Sequence, residues 1–308
     1  MYKLAAIVGP TAVGKTSTSI QVAQKINAEI ISCDSMQIYR EMNIGTAKAS
    51  IAEQTVVPHH LIDVVSPAED FSVAQYQTMA KKLIAQLNAQ SKIPLLSGGT
   101  GLYYQALVDD YRFFPLESRQ IVRERWNREI EDKGLQFVYN HLRTIDPVYA
   151  DKISSNDQKR IVRALEVYEL TGEAFSIQQN KTENTYNLAV VGLYLERLEL
   201  YQRIDMRVDT MLQNGLVEEV QTLREKGYDL SFNSMQALGY KQAFNYLEGF
   251  ISREQMAEEI KRETRRYAKR QYTWFNKDKR IYWINVLEYP NEEELTEKIS
   301  VYLGRTFC

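Results

Sequence analysis

Residues 9–16 constrain this chain most strongly, because they fit a phosphate-binding loop at every fixed position. The pattern is glycine, any four residues, then glycine, lysine and serine or threonine. It is met here by Gly9, Pro10, Thr11, Ala12, Val13, Gly14, Lys15 and Thr16. The backbone N–H groups of such a loop, the start of the following helix and the lysine all attract an anion. The sequence therefore predicts a site for a diphosphate or a polyphosphate.

The chain around this loop predicts a P-loop NTPase-like α/β fold, with a parallel sheet flanked by helices. In the N-terminal third, apolar runs of strand length alternate with helical patterns, as in parallel sheets. The runs lie at 2–8, 28–33 and 93–97, and the helical patterns at 17–26 and 71–90. From 116 to 181 the patterns are all helical, and an apolar run at 188–195 then resumes the strands. We therefore predict a core domain of residues 1–113 and 186–308 with an all-helical insertion domain of residues 114–185.

The composition argues against several classes of protein. No apolar run approaches the ~20 residues of a membrane span, and the sequence begins with a strand pattern rather than a signal peptide. The two cysteines, Cys33 and Cys308, are too few for a disulfide framework. The net charge is only −2, so any nucleic-acid surface would have to be local. We expect a cytoplasmic, monomeric protein without membrane contact.

Three segments that follow predicted strands are expected to line one cleft, because ligands of open parallel sheets bind at the carboxyl ends of the strands. They are the phosphate loop, residues 34–37 (Asp-Ser-Met-Gln) and residues 97–101 (Ser-Gly-Gly-Thr-Gly). Asp34 is the only carboxylate among them. It could hold Mg²⁺ through water or accept a proton from a nucleophile, or it could cap the next helix through its side-chain oxygen. The Thr16 hydroxyl suits a phosphate-bound Mg²⁺.

The aspartate that holds the metal ion in ordinary NTPases has no good counterpart. It normally ends an apolar strand, whereas the run at 93–97 ends in Ser97 and glycine, and Asp63 follows only two apolar residues. The Asp-Asp-x-x-Asp pattern of many terpene enzymes is incomplete at 109–113. The sequence therefore favours a site that holds a diphosphate over a nucleotide switch.

Arg203 and Arg207 lie four residues apart on a predicted helix and therefore share one face. Two guanidinium groups on one face can clamp phosphate oxygens. The alternative is a ladder of ion pairs with Glu199, Asp205 and Asp209. Sequence spacing does not decide between the two.

A cationic stripe follows on a later predicted helix. It consists of Lys261, Arg262, Arg265, Arg266, Lys269 and Arg270. Such a stripe would suit a nucleic-acid backbone, or it could be a solvated face partly paired to Glu258, Glu259 and Glu263. Residues 158–163 form a shorter basic patch. His59 and His60 lack partners with metal-ligand spacing and are expected to be loop or core residues.

Five motifs occur in an order that resembles the bacterial tRNA dimethylallyltransferase (tRNA isopentenyltransferase) family. In one-letter code they are GPTAVGKT at 9–16, DSMQIYR at 34–40, HHLID at 59–63, SGGTGLY at 97–103 and RYAKRQYTWF at 266–275. The match extends over nearly the whole chain, and a small departure is Val13, where the family often has serine.

The resemblance implies transfer of a dimethylallyl group from dimethylallyl diphosphate to N6 of the adenine 3′-adjacent to the anticodon of tRNA. In the family Asp34 is the general base, and Thr100 orients it or the amine. Arg207, Lys15 and Mg²⁺ at Thr16 would neutralise the leaving diphosphate. The implied tRNA contacts are Asp34, Ser35, Met36, Gln37, Thr100, Arg123, Gln158, Lys159, Arg160, Ile161 and Val162. The helical insertion is accordingly expected to grip the anticodon stem-loop.

Other functions fit parts of the same pattern. A related enzyme could prenylate free AMP or ADP, and a P-loop small-molecule kinase would bind ATP in the same loop. A non-catalytic RNA-binding protein could keep a relic loop. The inserted helices and the arginine-rich stretches favour a macromolecular acceptor.

Overall fold

The chain forms one parallel sheet. The computed structural model describes residues 1–111, 113, 116–178 and 185–307. The strands are β1 (Tyr2–Val8), β2 (Ala28–Ser32), β3 (His59–His60), β4 (Ile93–Gly98), β5 (Tyr186–Tyr194) and β6 (Ile281–Asn285). They pair in the order β3-β2-β4-β1-β5-β6, and every pair is parallel. The predicted parallel α/β fold is confirmed.

Helices connect the strands and form the inserted segment. In chain order they are α1 (Lys15–Lys25), α2 (Ile51–Val56), α3 (Val73–Ala89), α4 (Gly101–Val108), α5 (Leu116–Lys133), α6 (Leu135–Ile145), α7 (Pro147–Ala150), α8 (Gln158–Thr171), α9 (Phe175–Gln178), α10 (Arg197–Gln213), α11 (Leu216–Glu225), α12 (Tyr240–Leu247), α13 (Arg253–Phe275) and α14 (Glu292–Phe307). Ser72 begins α3 with a capping box, as its sequence predicts. Of the helices that the structure describes, none combines the length and the apolar character that crossing a bilayer requires.

The chain divides into two compact units. The core unit comprises Met1–Val108 and Asn184–Cys308, and the helical unit comprises Asp109–Glu183. The predicted division lies at 114 and 185, and residues 112, 114–115, 179–184 and 308 are outside the described residues.

In the core unit, successive residues of β1 point to opposite faces of the sheet and are buried on both. Leu4 and Val8 join an apolar cluster with α3, α4, α11 and α12, whereas Ala5 and Ile7 join a second cluster with α1, α10 and α14. A strand covered on both faces has to be apolar at consecutive positions, which explains the uninterrupted run in the sequence. The helical unit has its own core around Trp126, packed between α5, α6 and α8.

The two histidines form the edge strand β3 rather than a loop. Nε2 of His60 lies 2.7 Å from Oε2 of Glu29, which also pairs with Lys92. Burial opposes the charge of Glu29, but hydrogen bonds from Lys92 and His60 outweigh it and lower the pKa of this carboxyl group. The His60 side chain therefore has a hydrogen-bond partner within the protein.

We expect Gly98→Ala to destabilise the protein strongly. A Cβ atom at Gly98 would lie 2.2 Å from the backbone oxygen of Cys33, which follows the neighbouring strand β2. Overpacking of this kind costs about 1–3 kcal/mol, and backbone atoms in a central sheet yield less than side chains do. Urea unfolding measures the loss. Gly304→Ala is the matched control, since nothing lies within 4 Å of its added Cβ. Equal unfolding midpoints for both variants would contradict the prediction.

Candidate functional site

The three predicted cleft segments meet in one cavity of the core unit, with a volume of about 800 Å³. The phosphate loop contributes Thr11, Ala12, Gly14, Lys15 and Thr16, and the other two segments contribute Asp34, Ser35, Met36, Gln37, Ser97, Gly98 and Gly99. Their strands are neighbours whose ends lie level, because Val8 pairs with Gly98 and Ser32 with Ser97. The predicted convergence is confirmed.

The phosphate loop leaves β1 at a glycine that no other residue could replace without strain. Gly9 has a φ of +146°, and a Cβ there would lie 2.5 Å from the backbone oxygen of Leu193. The loop ends at Gly14, which has a φ of +101° and is the N-cap of α1. Val13 is fully buried, so its side chain packs inward while the loop backbone faces the cavity.

Lys15 lies in the cavity with a perturbed ionisation. Its Nζ donates to the backbone oxygen of Pro10 at 2.6 Å. Burial lowers the pKa of Lys15 to about 7, the nearby Arg207 adds to this effect, and Asp34 opposes it. Near neutral pH such a lysine is only partly charged, and a bound anion would raise its pKa and favour the charged form.

Arg207 differs from Arg203 in its contacts. Nε of Arg203 donates to Glu199 at 3.0 Å, as in the predicted ion-pair ladder. Arg207 is partly buried, lines the cavity and has no ion pair with any residue that the structure describes. Burial lowers its pKa, against the effect of Asp34. Arg203 therefore matches the ion-pair alternative, whereas Arg207 matches the phosphate-clamp alternative.

The carboxylate of Asp34 both caps a turn and faces the cavity. Its Oδ1 accepts hydrogen bonds from the backbone N–H groups of Met36 at 2.9 Å and Gln37 at 3.4 Å. Its Oδ2 makes no hydrogen bond within the described residues. One oxygen thus has a capping role, although it caps a turn rather than the expected helix. The other oxygen remains available to a ligand.

Thr100 acts on the same turn. Its Oγ1 accepts from the backbone N–H of Ser35 at 3.0 Å and lies 3.4 Å from the Ser35 hydroxyl. Tyr267 is a neighbour of Thr100. The pKa of its phenol is raised, chiefly by burial and further by Asp34, while Thr100 acts in the opposite direction, so the phenol is neutral. These contacts fix the residue next to Asp34.

Both polar atoms of the Gln37 side chain are hydrogen-bonded within the protein. Its Oε1 accepts from the Ser32 hydroxyl at 3.0 Å, and its Nε2 lies 3.3 Å from the backbone oxygens of both Thr46 and Ala47. Gln37 therefore fixes the segment 45–47, which lines the cavity. Reading a base with this amide would require breaking these bonds.

Helix α13 contributes a wall of the cavity that the sequence interpretation missed. Ile260, Thr264, Tyr267 and Gln271 line it and lie three or four residues apart, which places them on one helix face. The predicted cationic stripe lies on the remainder of the helix. Most of its members are ion-paired, namely Lys261 with Asp209, Arg262 with Glu259 and Glu263, Arg265 with Asp205, and Arg266 with Glu263.

Lys269 and Arg270 are the members of the stripe that have no ion pair within the described residues. The guanidinium of Arg270 lies 5.7 Å from the ring centroid of Tyr267 and lines the cavity. Of the two alternatives for the stripe, the ion-paired face therefore describes most of its members. The spacing of residues 260, 264, 267 and 271 is the sequence signal by which this cavity wall could have been found.

A second cavity, of about 910 Å³, lies in the helical unit. Its lining residues are Arg123, Asn127, Ser154, Asn156, Asp157, Gln158, Lys159 and Val162. Arg123 donates at 3.0 Å to Glu166, which is fully buried. Arg160 pairs with Asp157, and Ile161 is fully buried in the helical core. The structure thus brings several of the predicted tRNA contacts to one surface and assigns Ile161 to packing.

Comparisons with known proteins identify the family of this chain. A model of the family described as IPP transferase matches residues 37–278. The tRNA dimethylallyltransferase of Syntrophomonas wolfei subsp. wolfei is 66% identical over 307 residues, covering 100% of this chain and 99% of that protein. The crystal structure of the full-length tRNA isopentenylpyrophosphate transferase from Bacillus halodurans matches with a TM-score of 0.73 at 40% identity, covering 99% and 98% of the two chains.

A third match is the crystal structure of a eukaryotic dimethylallyltransferase acting on tRNA. It has a TM-score of 0.79 at 30% identity and covers 92% of this chain and 74% of that one. The two bacterial relatives cover almost the whole of this sequence. The chain therefore belongs to the IPP transferase family and is a prenyltransferase of the tRNA dimethylallyltransferase group.

Proposed function

We propose that this chain transfers the dimethylallyl group of dimethylallyl diphosphate to N6 of the adenine 3′-adjacent to the anticodon of tRNA. The observation that carries the proposal is a single cavity that contains both a phosphate loop and a carboxylate with one free oxygen. The names of the relatives support the reaction. The cavity contains cationic residues for the leaving diphosphate and a carboxylate for the proton that the amine releases.

The reaction forms a bond between N6 and C1 of the donor while the bond from C1 to the diphosphate oxygen breaks. The phosphate loop would hold the diphosphate through its backbone N–H groups. Lys15 and Arg207 would neutralise the negative charge that develops on the leaving oxygen. The amine becomes acidic only as it attacks, so the ordinary carboxylate of Asp34 can then take its proton through Oδ2.

Magnesium fits the donors present at the phosphate loop. The Thr16 hydroxyl is exposed to the cavity and makes no hydrogen bond within the described residues. Mg²⁺ typically uses one or two protein oxygens and completes its shell with phosphate oxygens and water. We propose Thr16 as its protein ligand. When bound, the ion would add positive charge beside the leaving diphosphate.

The acceptor adenine has to leave its base stack to reach this cavity, which costs less in an anticodon loop than in a duplex. The segment 34–37 would receive the base. The surface of the helical unit that includes Arg123 and Lys159 would bind the anticodon stem-loop, with Glu166 holding Arg123 in place.

We expect Lys159→Gln to weaken tRNA binding without changing donor binding. Lys159 is exposed and has no ion pair within the described residues. Loss of one phosphate contact lowers the slope of log affinity against log salt by about 1. Filter binding at several salt concentrations measures the slope. Lys133→Gln is the control, because Lys133 is paired to Glu129 on the same unit. Equal slopes for the two variants would contradict the prediction.

Donor binding is expected to weaken as the pH rises above about 7, the pKa of Lys15 in the free protein. At higher pH the lysine is largely neutral, and a bound diphosphate raises its pKa again. Binding at alkaline pH therefore takes up a proton. Calorimetry in two buffers of different ionisation enthalpy measures this uptake, and Lys15→Met provides the baseline. The same uptake by the variant would contradict the assignment to Lys15.

The proposed function is tested by mass analysis of tRNA nucleosides after incubation with dimethylallyl diphosphate. We expect N6-isopentenyladenosine from tRNA and none from AMP supplied instead. Product from AMP alone would make the chain an adenylate prenyltransferase. Transfer of phosphate from ATP without prenylation would make it a kinase.

A further inference from the structure

The side chain of Gln271 is hydrogen-bonded to two loops whose relative position matters for the proposed reaction. Its Oε1 accepts from the backbone N–H of Thr11 at 2.9 Å, and its Nε2 donates to the backbone oxygen of Gly99 at 2.9 Å. Its residue is only 5% exposed. Thr11 belongs to the phosphate loop, and Gly99 precedes Thr100, which fixes the turn of Asp34.

We propose that Gln271 is a positioning residue that fixes the distance between the diphosphate site and the base-receiving turn. The inference rests on the proposed function, in which the first loop holds the donor and the second orients the acceptor. Because the transfer is a direct displacement, its rate depends on how closely the amine and the donor carbon are aligned. A misplacement of about 1 Å can cost ~10²-fold in rate.

The chemistry of the contact requires a primary amide. One loop offers an N–H and the other a carbonyl, so the bridging side chain needs an acceptor and a donor at its tip. Methionine has a similar length but would leave both backbone groups buried and unpaired. The absence of a side chain at Gly99 leaves room for this contact, because a Cβ atom there would lie 2.2 Å from Nε2 of Gln271.

The helix that presents Gln271 is itself firmly held. Arg265 and Lys261 of α13 pair with Asp205 and Asp209 of α10, the helix that also provides Arg207. One turn before Gln271, Tyr267 lines the same cavity and interacts with Thr100. The inner face of α13 therefore contacts both loops, and its outer face fixes it to α10.

The test compares Gln271→Met with Gln271→Glu across pH. We expect Gln271→Met to lower the single-turnover rate at saturating donor and tRNA by ~10²-fold at every pH. An ionised glutamate repels the Gly99 oxygen, but a protonated glutamic acid again has one donor and one acceptor. The rate of Gln271→Glu relative to the wild type should therefore rise as the pH falls, and exceed that of Gln271→Met. Rates relative to the wild type remove pH effects that the variants share with it, such as the titration of Lys15.

Thr273→Ala is the control on the same helix. Thr273 is exposed, and its hydroxyl bonds the backbone oxygen of Lys269, so we expect wild-type rates. A Gln271→Met rate within about threefold of the wild type, against the ~10²-fold expected for misplacement, would overturn the proposal. So would a Gln271→Glu rate that equals the Gln271→Met rate at all pH values. If Gln271→Met does not fold, a flat pH dependence of the relative Gln271→Glu rate overturns it alone. A wild type that forms no isopentenyladenosine would instead refute the proposed function.

Discussion

Asp34→Asn is expected to lower the rate of prenyl transfer by ~10²-fold or more, the range typical of general bases. Asparagine keeps the side-chain oxygen that accepts from Met36 and Gln37, so the turn is retained. It cannot take up the proton that N6 releases. Single-turnover kinetics with saturating donor and tRNA measure the chemical step, and tRNA affinity measured separately should change little.

Asp34→Ala separates the two roles of the carboxylate. Alanine removes the turn acceptor as well as the base, so this variant should also lose about 1 kcal/mol of stability in urea unfolding. The rate loss should be similar in both variants if the proton acceptor is what matters. A rate for Asp34→Asn within about threefold of the wild type, well short of the expected ~10²-fold, would remove Asp34 from the mechanism.

Arg207→Gln is expected to reduce the rate of transfer by ~10²–10³-fold. This is the usual loss when a preorganised hydrogen-bond donor to a developing negative charge is removed. Arg207 lines the cavity without an ion pair in the described part of the chain, so its charge is available to the leaving diphosphate. The same substitution should raise the pKa of Lys15, because Arg207 helps to lower it. The pH dependence of donor binding should then move to higher pH.

Arg203→Gln provides the matched comparison on the same helix face. The guanidinium of Arg203 is paired with Glu199 at 3.0 Å. Its removal should therefore lower the rate of transfer by less than about tenfold, a smaller effect than removal of the unpaired Arg207. Rates and donor affinities of the two variants are measured side by side. Equal losses would show that position in the cavity, rather than the absence of a counter-ion, gives these arginines their effect.

Much of the fold is predictable because its signals are local. The glycine spacing of residues 9–16 and apolar runs of strand length predict a parallel sheet with a phosphate site. The helix predicted to carry the cationic stripe is observed as α13, Arg253–Phe275. The edge strand His59–His60 was missed because two residues carry no periodicity. The roles of Asp34, Thr100, Arg207 and the tRNA contacts remain predictions.

Sequence alone determined that a phosphate loop, an aspartate turn and a glycine-rich turn would lie at one edge of a sheet. That follows from strand order and from which residues end the strands. Only the tertiary structure decided which side chains were already neutralised by partners. Arg203 and Arg207 share one helix face and carry the same charge. Glu199 pairs with Arg203, whereas Asp205 and Asp209 pair with Arg265 and Lys261 of α13. Gln271 lies 260 residues from Thr11, and a contact between residues so far apart exists only once the helix has packed against the loop.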